Sequence, residues 1–146
     1  MYRRRADHLE FFLVHPGGPF FRGKDTGAWT IPKGEIAENE DPLSAARREF
    51  AEEVGSNPAG LFIELTPVRQ KGGKIIRAWA MEGDLDPMQI KSNPFTLEWP
   101  PRSGRLQQFP EVDRAEWFDA ASAKSKINPA QWPLLEELQR LIGSQL

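Results

Sequence analysis

Three glutamates within five positions carry the strongest chemical signal in the chain. Glu52 and Glu53 follow Glu49 at spacings of three and four residues, so a helix would place all three within roughly 6 Å along its axis. Like charges this close repel one another unless solvent or a cation compensates them. Carboxylate oxygens on an open helix face suit Mg²⁺, with Mn²⁺ as a substitute. The cluster therefore predicts a divalent-cation site.

The same residues also have a plainer interpretation. Acidic clusters beside arginines usually form a solvated helix surface, and Arg47 and Arg48 stand directly before Glu49. Taken alone, the cluster favours this solvated surface. The metal-site interpretation depends on the sequence around it.

A helix is predicted to position the glutamates. Asp41 and Pro42 supply an N-cap and a first helical residue, and Gly55 is placed as the C-terminal stop. Between them an apolar stripe recurs at helical spacing, which gives the helix one buried face. The stripe consists of Leu43, Ala46, Phe50 and Val54.

Strands are predicted on both sides of this helix. The apolar run over residues 9–14 predicts a buried strand, and residues 61–69 and 74–81 predict an antiparallel hairpin around two glycines. Residues 115–118 predict a final short strand.

The remaining segments complete an α/β pattern. Residues 83–110, rich in Pro, Asp, Asn and Ser, predict an irregular loop region near a site. An amphipathic helix is predicted to open at Asn128 or Pro129 and to close the domain. Strands flanked by helices on two faces favour an α/β/α sandwich. The apolar residues of the last helix are Leu134, Leu135, Leu138 and Leu141.

Composition limits the chemistry further. A chain of 146 residues is the size of one domain, predicted to span 1–146. The absence of Cys and the presence of only 2 His exclude thiolate and histidine-rich metal sites, so carboxylates must carry any metal chemistry. No long apolar run or signal-peptide core is present, which predicts a cytoplasmic protein without membrane contact. A net charge of -2 gives no general attraction to duplex nucleic acid.

The glutamates belong to a longer pattern. The segment from Gly34 to Gly55 fits the spacing G-x5-E-x7-R-E-U-x-E-E-x-G, with Phe50 at the aliphatic or aromatic position U. It resembles the Nudix box, and on the order of one chain in a million of this length would match by chance. One departure is Ser56, where the family usually has an aliphatic side chain. The matching positions are Gly34, Glu40, Arg48, Glu49, Glu52, Glu53 and Gly55.

The resemblance implies a fold, a reaction and roles. The fold is a Nudix-type α/β/α sandwich with a mixed sheet and a loop–helix–loop catalytic motif, and the reaction is Mg²⁺-dependent hydrolysis of a pyrophosphate linkage in a nucleoside polyphosphate. Arg48 would hold Glu49 in place, and Glu40 would have a structural role. The metal ligands would be the Gly34 carbonyl, Glu49, Glu52 and Glu53.

A general base is still needed. In Nudix enzymes it comes either from the box, here Glu49, or from a glutamate on a later loop a few residues before a tryptophan. Glu111 lies six residues before Trp117 and fits that place. Glu98 is the second candidate on a later loop.

Substrate contacts are predicted with alternatives. The form W-x-x-P-K-G over residues 29–34 resembles Nudix hydrolases acting on diadenosine polyphosphates and nucleoside triphosphates. Lys33 would touch a phosphate or remain solvated, and Trp29 would stack on a purine or, as is more common, belong to the core. Phe95 and Trp99 offer further flat rings. The other basic candidates are Arg102 first, then Arg22, Lys24, Arg77 and Arg105.

Two rival functions and one partner question stay open. A Nudix-fold module that binds a nucleotide without cutting it is one rival, and hydrolysis of nucleoside diphosphate conjugates such as ADP-ribose or RNA caps is the other. The expected partner is a nucleotide substrate. Nudix relatives usually carry another strand before residues 9–14, and only residues 1–7 are available for it here, so that strand is either cut short or abbreviated to residues 2–5. A truncated sheet edge would be covered by a second copy of the chain, which makes a homodimer a hypothesis.

Overall fold

The computed structural model describes residues 1–33 and 39–143. Two short 3₁₀ helices, at Pro87–Gln89 and Pro129–Gln131, lie between the main elements. In chain order the main elements are β1 (Tyr2–Arg5), β2 (His8–Pro16), α1 (Pro42–Val54), β3 (Ile63–Glu64), β4 (Val68–Arg69), β5 (Ile75–Ile76), β6 (Trp79–Ala80), β7 (Pro94–Glu98), β8 (Leu106–Pro110), β9 (Val112–Asp119), α2 (Ala120–Lys126) and α3 (Trp132–Gly143).

The sheet β1-β2-β9 forms the centre of the fold, and both of its strand pairs are antiparallel. Residues 2–5 do form the abbreviated strand, with Tyr2 opposite Phe11. Tyr2 also bridges to Glu82 in parallel, which connects β1 to the strands beyond. An open cleft of about 520 Å³ lies between β2 and β6, and its lining is largely apolar and includes Leu13 and Ala80.

Alternation along β2 creates two apolar layers. Leu9, Phe11 and Leu13 point to one face, where the core includes residues of α3 such as Leu134. Phe12 and Val14 point to the other face, where the core includes Phe50 of α1. With α3 on one side of the sheet and α1 on the other, the predicted α/β/α arrangement is confirmed.

Helix α1 forms for the predicted reasons. The Asp41 side chain accepts the Ser44 N–H at 3.0 Å as an N-cap, and Gly55 ends the helix with φ 80°. Phe50 and Val54 are buried as expected. Leu43 and Ala46 are only half-buried, and Ala45 takes the buried position between them.

The predicted hairpin over residues 61–69 and 74–81 is present but interrupted. Two short antiparallel pairs, β3 with β6 and β4 with β5, replace two continuous strands. Leu65, Thr66 and Pro67 separate the pairs, and proline cannot donate to a ladder.

The prediction of an irregular loop over residues 83–110 is wrong for its second half. β7 and β8 form an antiparallel hairpin from Pro94 opposite Pro110 to Glu98 opposite Leu106. Prolines at the strand ends hid the alternation, in which Phe95 pairs with Phe109.

The C-terminal helices also differ from the prediction. Helix α2 was missed because its Ala, Ser and Lys residues carry no apolar stripe, although Asp119 caps it by accepting the Ser122 N–H. The last helix follows a 3₁₀ turn and begins at Trp132, later than Asn128. In this register Ile142 is 3% exposed, whereas Leu141 is 43% exposed and does not join the core.

A β-bulge lies near the start of β9. His15 pairs with Arg114 but Pro16 pairs with Val112, so Asp113 has no partner in the ladder. Its carboxylate instead lies 2.9 Å from Nδ1 of the buried His15.

Within the part of the chain that the structure describes, no helix has both the length and the apolar character needed to cross a membrane.

Candidate metal and catalytic site

Three half-buried carboxylates converge at the end of the sheet. One oxygen each from Glu49, Glu53 and Glu111 lies within 4.8 Å of the others. Glu49 and Glu53 share a face of α1 because they are four residues apart. Glu111 arrives from the turn between β8 and β9. We call this set the glutamate cluster.

Backbone hydrogen bonds fix Glu111 against the helix. Its N–H donates to the Asn93 carbonyl, and its carbonyl accepts the Gly17 N–H, both at 2.9 Å. Asn93 is itself tied to α1, because its N–H donates to the Glu52 carbonyl at 2.8 Å. Sequence reasoning missed the roles of Asn93 and Gly17; the Pro-Gly-Gly-Pro turn at 16–19 was the available signal for Gly17.

Burial changes the acidity of the cluster. It raises the pKa of Glu53 to about 8, against the opposing effect of the Lys33 N–H and charge, and Glu49 and Glu111 add to the rise. Burial also raises the pKa of Glu49, and it raises that of Glu111 together with the charges of Glu49 and Glu52. Three such groups at neutral pH favour either shared protons or a bound cation.

Arg48 holds part of this arrangement together. Its Nε and Nη2 donate to the two oxygens of Glu40 at 2.7 and 2.9 Å, and its Nη1 donates to Glu49 at 2.9 Å. The surrounding carboxylates raise the pKa of Arg48, led by the hydrogen bond to Glu40. A planar guanidinium suits such a fork of bonds better than an ammonium group.

Glu52 occupies a different position from the other box glutamates. Its carboxylate accepts from Arg48 at 3.1 and 3.2 Å and does not join the glutamate cluster among the described residues. Its role as a metal ligand stays a prediction. Gly34 lies outside the described residues.

The two candidate bases on later loops are separated. Glu111 is in the cluster, whereas Glu98 lies at the far end of β7, opposite Leu106. Leu106 and Pro110 are four residues apart along the strand, which amounts to about 13 Å. Glu98 Oε1 accepts the backbone N–H of Arg102 at 2.7 Å, so its carboxylate lies against the exposed hairpin turn.

Of the remaining substrate candidates, Lys33 lies beside the glutamate cluster and Trp29 lies in the core. Lys33 adjoins the cluster, because its backbone N–H donates to Glu53 Oε2 at 3.0 Å. Trp29 is 2% exposed, with its ring edge-on to His15 and Phe118 and its Nε1 donating to Asp25. Its predicted stacking on a purine is therefore corrected: Trp29 belongs to the core.

Comparisons with known proteins agree on the family. A family model described as the NUDIX domain matches residues 3–138. The chain is 31% identical to an RNA pyrophosphohydrolase of Bartonella henselae over 114 residues, which are 68% of this chain and 61% of that protein. It is also 31% identical to one of Rhizobium meliloti over 125 residues, 75% and 70% of the two chains.

Solved structures share the fold. A C. elegans Ap4A hydrolase binary complex superposes with a TM-score of 0.67 at 20% identity, covering 98% of this chain and 94% of that one. A mutT/nudix family protein from Listeria innocua gives 0.60 at 18% identity, with 99% and 90% covered. These likenesses confirm the predicted Nudix-type sandwich. Since the family model spans residues 3–138, the chain belongs to the Nudix family.

Proposed function

We propose that this protein hydrolyses a pyrophosphate linkage in a nucleoside polyphosphate with the help of Mg²⁺. The observation that carries the proposal is the convergence of Glu49, Glu53 and Glu111 within 4.8 Å. Membership of the Nudix family supports the same chemistry.

The residues present fit a hard divalent cation. Mg²⁺ prefers carboxylate oxygens and retains several waters, and an open group of half-buried glutamates allows both. A bound cation would also favour the ionised forms of groups whose pKa burial raises. Glu49 and Glu53 would hold the ion, with Glu52 and the Gly34 carbonyl as further ligands. Mn²⁺ would substitute for it.

The bound cation would neutralise phosphate charge and lower the pKa of a coordinated water. Arg48 positions Glu49 through their 2.9 Å hydrogen bond. Glu111 takes the proton of the attacking water on a carboxylate oxygen, for which its raised pKa makes it a better acceptor than an ordinary glutamate. Glu49 is the alternative base.

The substrate is proposed from chemistry and relatives together. Lys33 adjoins Glu53 through its backbone N–H, and we expect its ammonium group to meet a phosphate of the substrate. The two curated relatives are named RNA pyrophosphohydrolases, and one fold neighbour is an Ap4A hydrolase. We therefore favour a nucleotide 5′-polyphosphate, either free, in a diadenosine polyphosphate or at the end of an RNA. Nucleoside diphosphate conjugates are the rival substrates.

The test incubates the protein with GTP, diadenosine tetraphosphate, 5′-triphosphorylated RNA and ADP-ribose, each in Mg²⁺ and in EDTA, and measures the release of nucleotide and phosphate products by chromatography. Mg²⁺-dependent release from one of the first three supports the proposal. Release from ADP-ribose alone favours the conjugate hydrolase. Nucleotide binding without any release favours the non-catalytic module.

Two broader expectations belong here as proposals. A homodimer stays a hypothesis, based on the short first strand of the sheet. Sedimentation showing a monomer at micromolar concentration would count against that homodimer. A cytoplasmic location, without binding to duplex nucleic acid, is the other expectation.

A further inference from the structure

Two segments outside the glutamate cluster form one continuous surface beside it. They are the loop of residues 17–25 and the β7–β8 hairpin with its turn, residues 94–110, which we call the loop–hairpin surface. Gly17 donates to the Glu111 carbonyl at 2.9 Å, and the hairpin ends at Pro110, the residue before Glu111. The surface therefore begins at the candidate base.

Close packing holds the loop against the hairpin. A Cβ at Gly17 would lie 2.0 Å from the Pro110 carbonyl oxygen, and one at Gly18 would lie 2.9 Å from the Phe95 ring. Nε2 of the buried His15 donates to the Lys24 carbonyl at 2.7 Å and anchors the other end of the loop. The two segments thus pack into one fixed surface.

Aromatic rings lie exposed on this surface. Phe20 is 57% exposed and Phe21 is 36% exposed. The ring of Phe20 meets half-buried Trp99 edge-to-face, with centroids 5.4 Å apart and planes at 80°. In this geometry each ring keeps at least one face that the other does not cover, so a further planar group can stack.

The surface is basic although the chain has a net charge of -2. Its cations are Arg22, Lys24, Arg102 and Arg105, and its carboxylates are Asp25 and Glu98. Both carboxylates already have donors within the fold: Asp25 accepts from Trp29 and Lys126, and Glu98 accepts from the Arg102 N–H. The charge that the surface offers a ligand is positive.

We propose that the loop–hairpin surface binds the first nucleotides of a single-stranded nucleic acid whose 5′-polyphosphate lies at the glutamate cluster. This inference rests on the proposed function. Exposed aromatic rings interleaved with cations bind single strands with little sequence preference, through base stacking and phosphate contacts. Their continuity with Glu111 places such a strand at the reacting end.

The spread of the cations favours a polymer over a dinucleoside polyphosphate. The hairpin extends about 13 Å from Pro110 to Leu106, and the turn that carries Arg102 and Arg105 lies beyond it. The second nucleoside of a dinucleoside polyphosphate has no phosphate beyond it. A nucleic acid strand has one at every step, so phosphates continue to the end of the hairpin.

The experiment measures binding in EDTA, where turnover is suppressed. Fluorescence anisotropy of a labelled eight-nucleotide single-stranded RNA with a 5′-triphosphate reports Kd, with GTP and the matching duplex as competitors. We expect the strand to bind at least tenfold more tightly than GTP and to outcompete the duplex. Phe20→Ala should weaken strand binding by roughly five- to a hundredfold, and Phe20→Trp should retain it.

A charge variant gives an independent readout. Arg105→Ala should reduce the slope of log K against log salt by about 0.7, the value for one phosphate contact on a single strand. Matched controls lie outside the surface: Met88, which is 90% exposed, for the hydrophobic loss, and Arg140 on α3 for the lost cation. Met88→Ala and Arg140→Ala should leave both Kd and slope unchanged. Thermal melting establishes that each variant is folded.

Different results would overturn the loop–hairpin inference and the proposed hydrolysis. Strand binding no tighter than GTP, or equal effects of surface and control variants, overturns the loop–hairpin inference even when Mg²⁺-dependent turnover is normal. Surface-dependent strand binding without turnover of any nucleotide overturns the proposed hydrolysis and leaves the binding surface supported.

Discussion

The backbone N–H of Lys33 donates to the carboxylate of Glu53 at 3.0 Å. The segment before α1 and the last carboxylate of the helix are therefore joined at the glutamate cluster. Even with this donor, burial raises the pKa of Glu53 to about 8. The site is thus arranged so that an ionised Glu53 needs a further positive partner.

Stability should depend on pH through Glu53. The folded pKa of about 8 exceeds the unfolded value of 4.5, so this group's contribution is fully present below pH 4.5 and is lost as pH rises through 8. In EDTA we expect the free energy of unfolding to fall toward pH 8, with a slope of at most roughly 1.4 kcal/mol per pH unit from this group. Urea unfolding of the protein and of Glu53→Gln at several pH values measures it. Equal pH dependence of the two proteins would contradict the assignment.

Arg48 should be needed in its guanidinium form. Arg48→Lys keeps the charge but loses the fork of bonds to Glu40 and Glu49. We expect kcat to fall roughly 10- to 100-fold, as for other groups that orient metal ligands. Arg47→Lys on the same helix is the matched control, and steady-state kinetics compares them. Similar kcat values for the two variants would show that Arg48 does not position the site.

The general base should be Glu111. Glu111→Gln removes a proton acceptor from the glutamate cluster, and kcat should fall by roughly 10²- to 10⁴-fold. The acidic limb of the pH–rate profile should flatten as well. Glu98→Gln, about 13 Å along the hairpin, should reduce kcat on GTP far less. A larger loss of kcat in Glu98→Gln than in Glu111→Gln would show that Glu98 is the general base.

Gly17 should be intolerant of a side chain. A Cβ there would meet the Pro110 carbonyl oxygen at 2.0 Å, so the backbone next to Glu111 must move. We expect Gly17→Ala to destabilise the fold by roughly 1–3 kcal/mol and to lower kcat. Gly143→Ala, where no atom lies within 4 Å of the added Cβ, is the control. A Gly17→Ala variant with unchanged melting temperature and kcat would contradict the contact.

Local signals in the sequence predicted the part of the site that one helix carries. The Asp41 cap, the Gly55 stop and the spacing of Glu49 and Glu53 are properties of consecutive residues, and α1 has the predicted bounds. The loop position of Glu111 was predicted from the family resemblance. Its contact with α1 depends on Asn93 and Gly17, which are distant in sequence.

Tertiary packing decided what the sequence could not. The β7–β8 hairpin pairs residues on either side of a proline-rich turn, so neither half showed a strand pattern alone. Trp29 had two predicted roles, and only its contacts with His15 and Phe118 place it in the core. Glu52 has the same spacing signal as Glu53, but Arg48 engages its carboxylate.

The most direct measurement compares Mg²⁺ dependence in the protein and in Glu53→Gln, with Glu136→Gln on the exposed side of α3 as the matched control. Release of pyrophosphate or phosphate from GTP and from 5′-triphosphorylated RNA is titrated with Mg²⁺ for all three, and the products are separated by chromatography. We expect Mg²⁺-dependent release by the protein and the control, and a loss of at least roughly 100-fold in Glu53→Gln. Full activity of Glu53→Gln, or release that persists in EDTA, would contradict a metal-dependent reaction at the glutamate cluster.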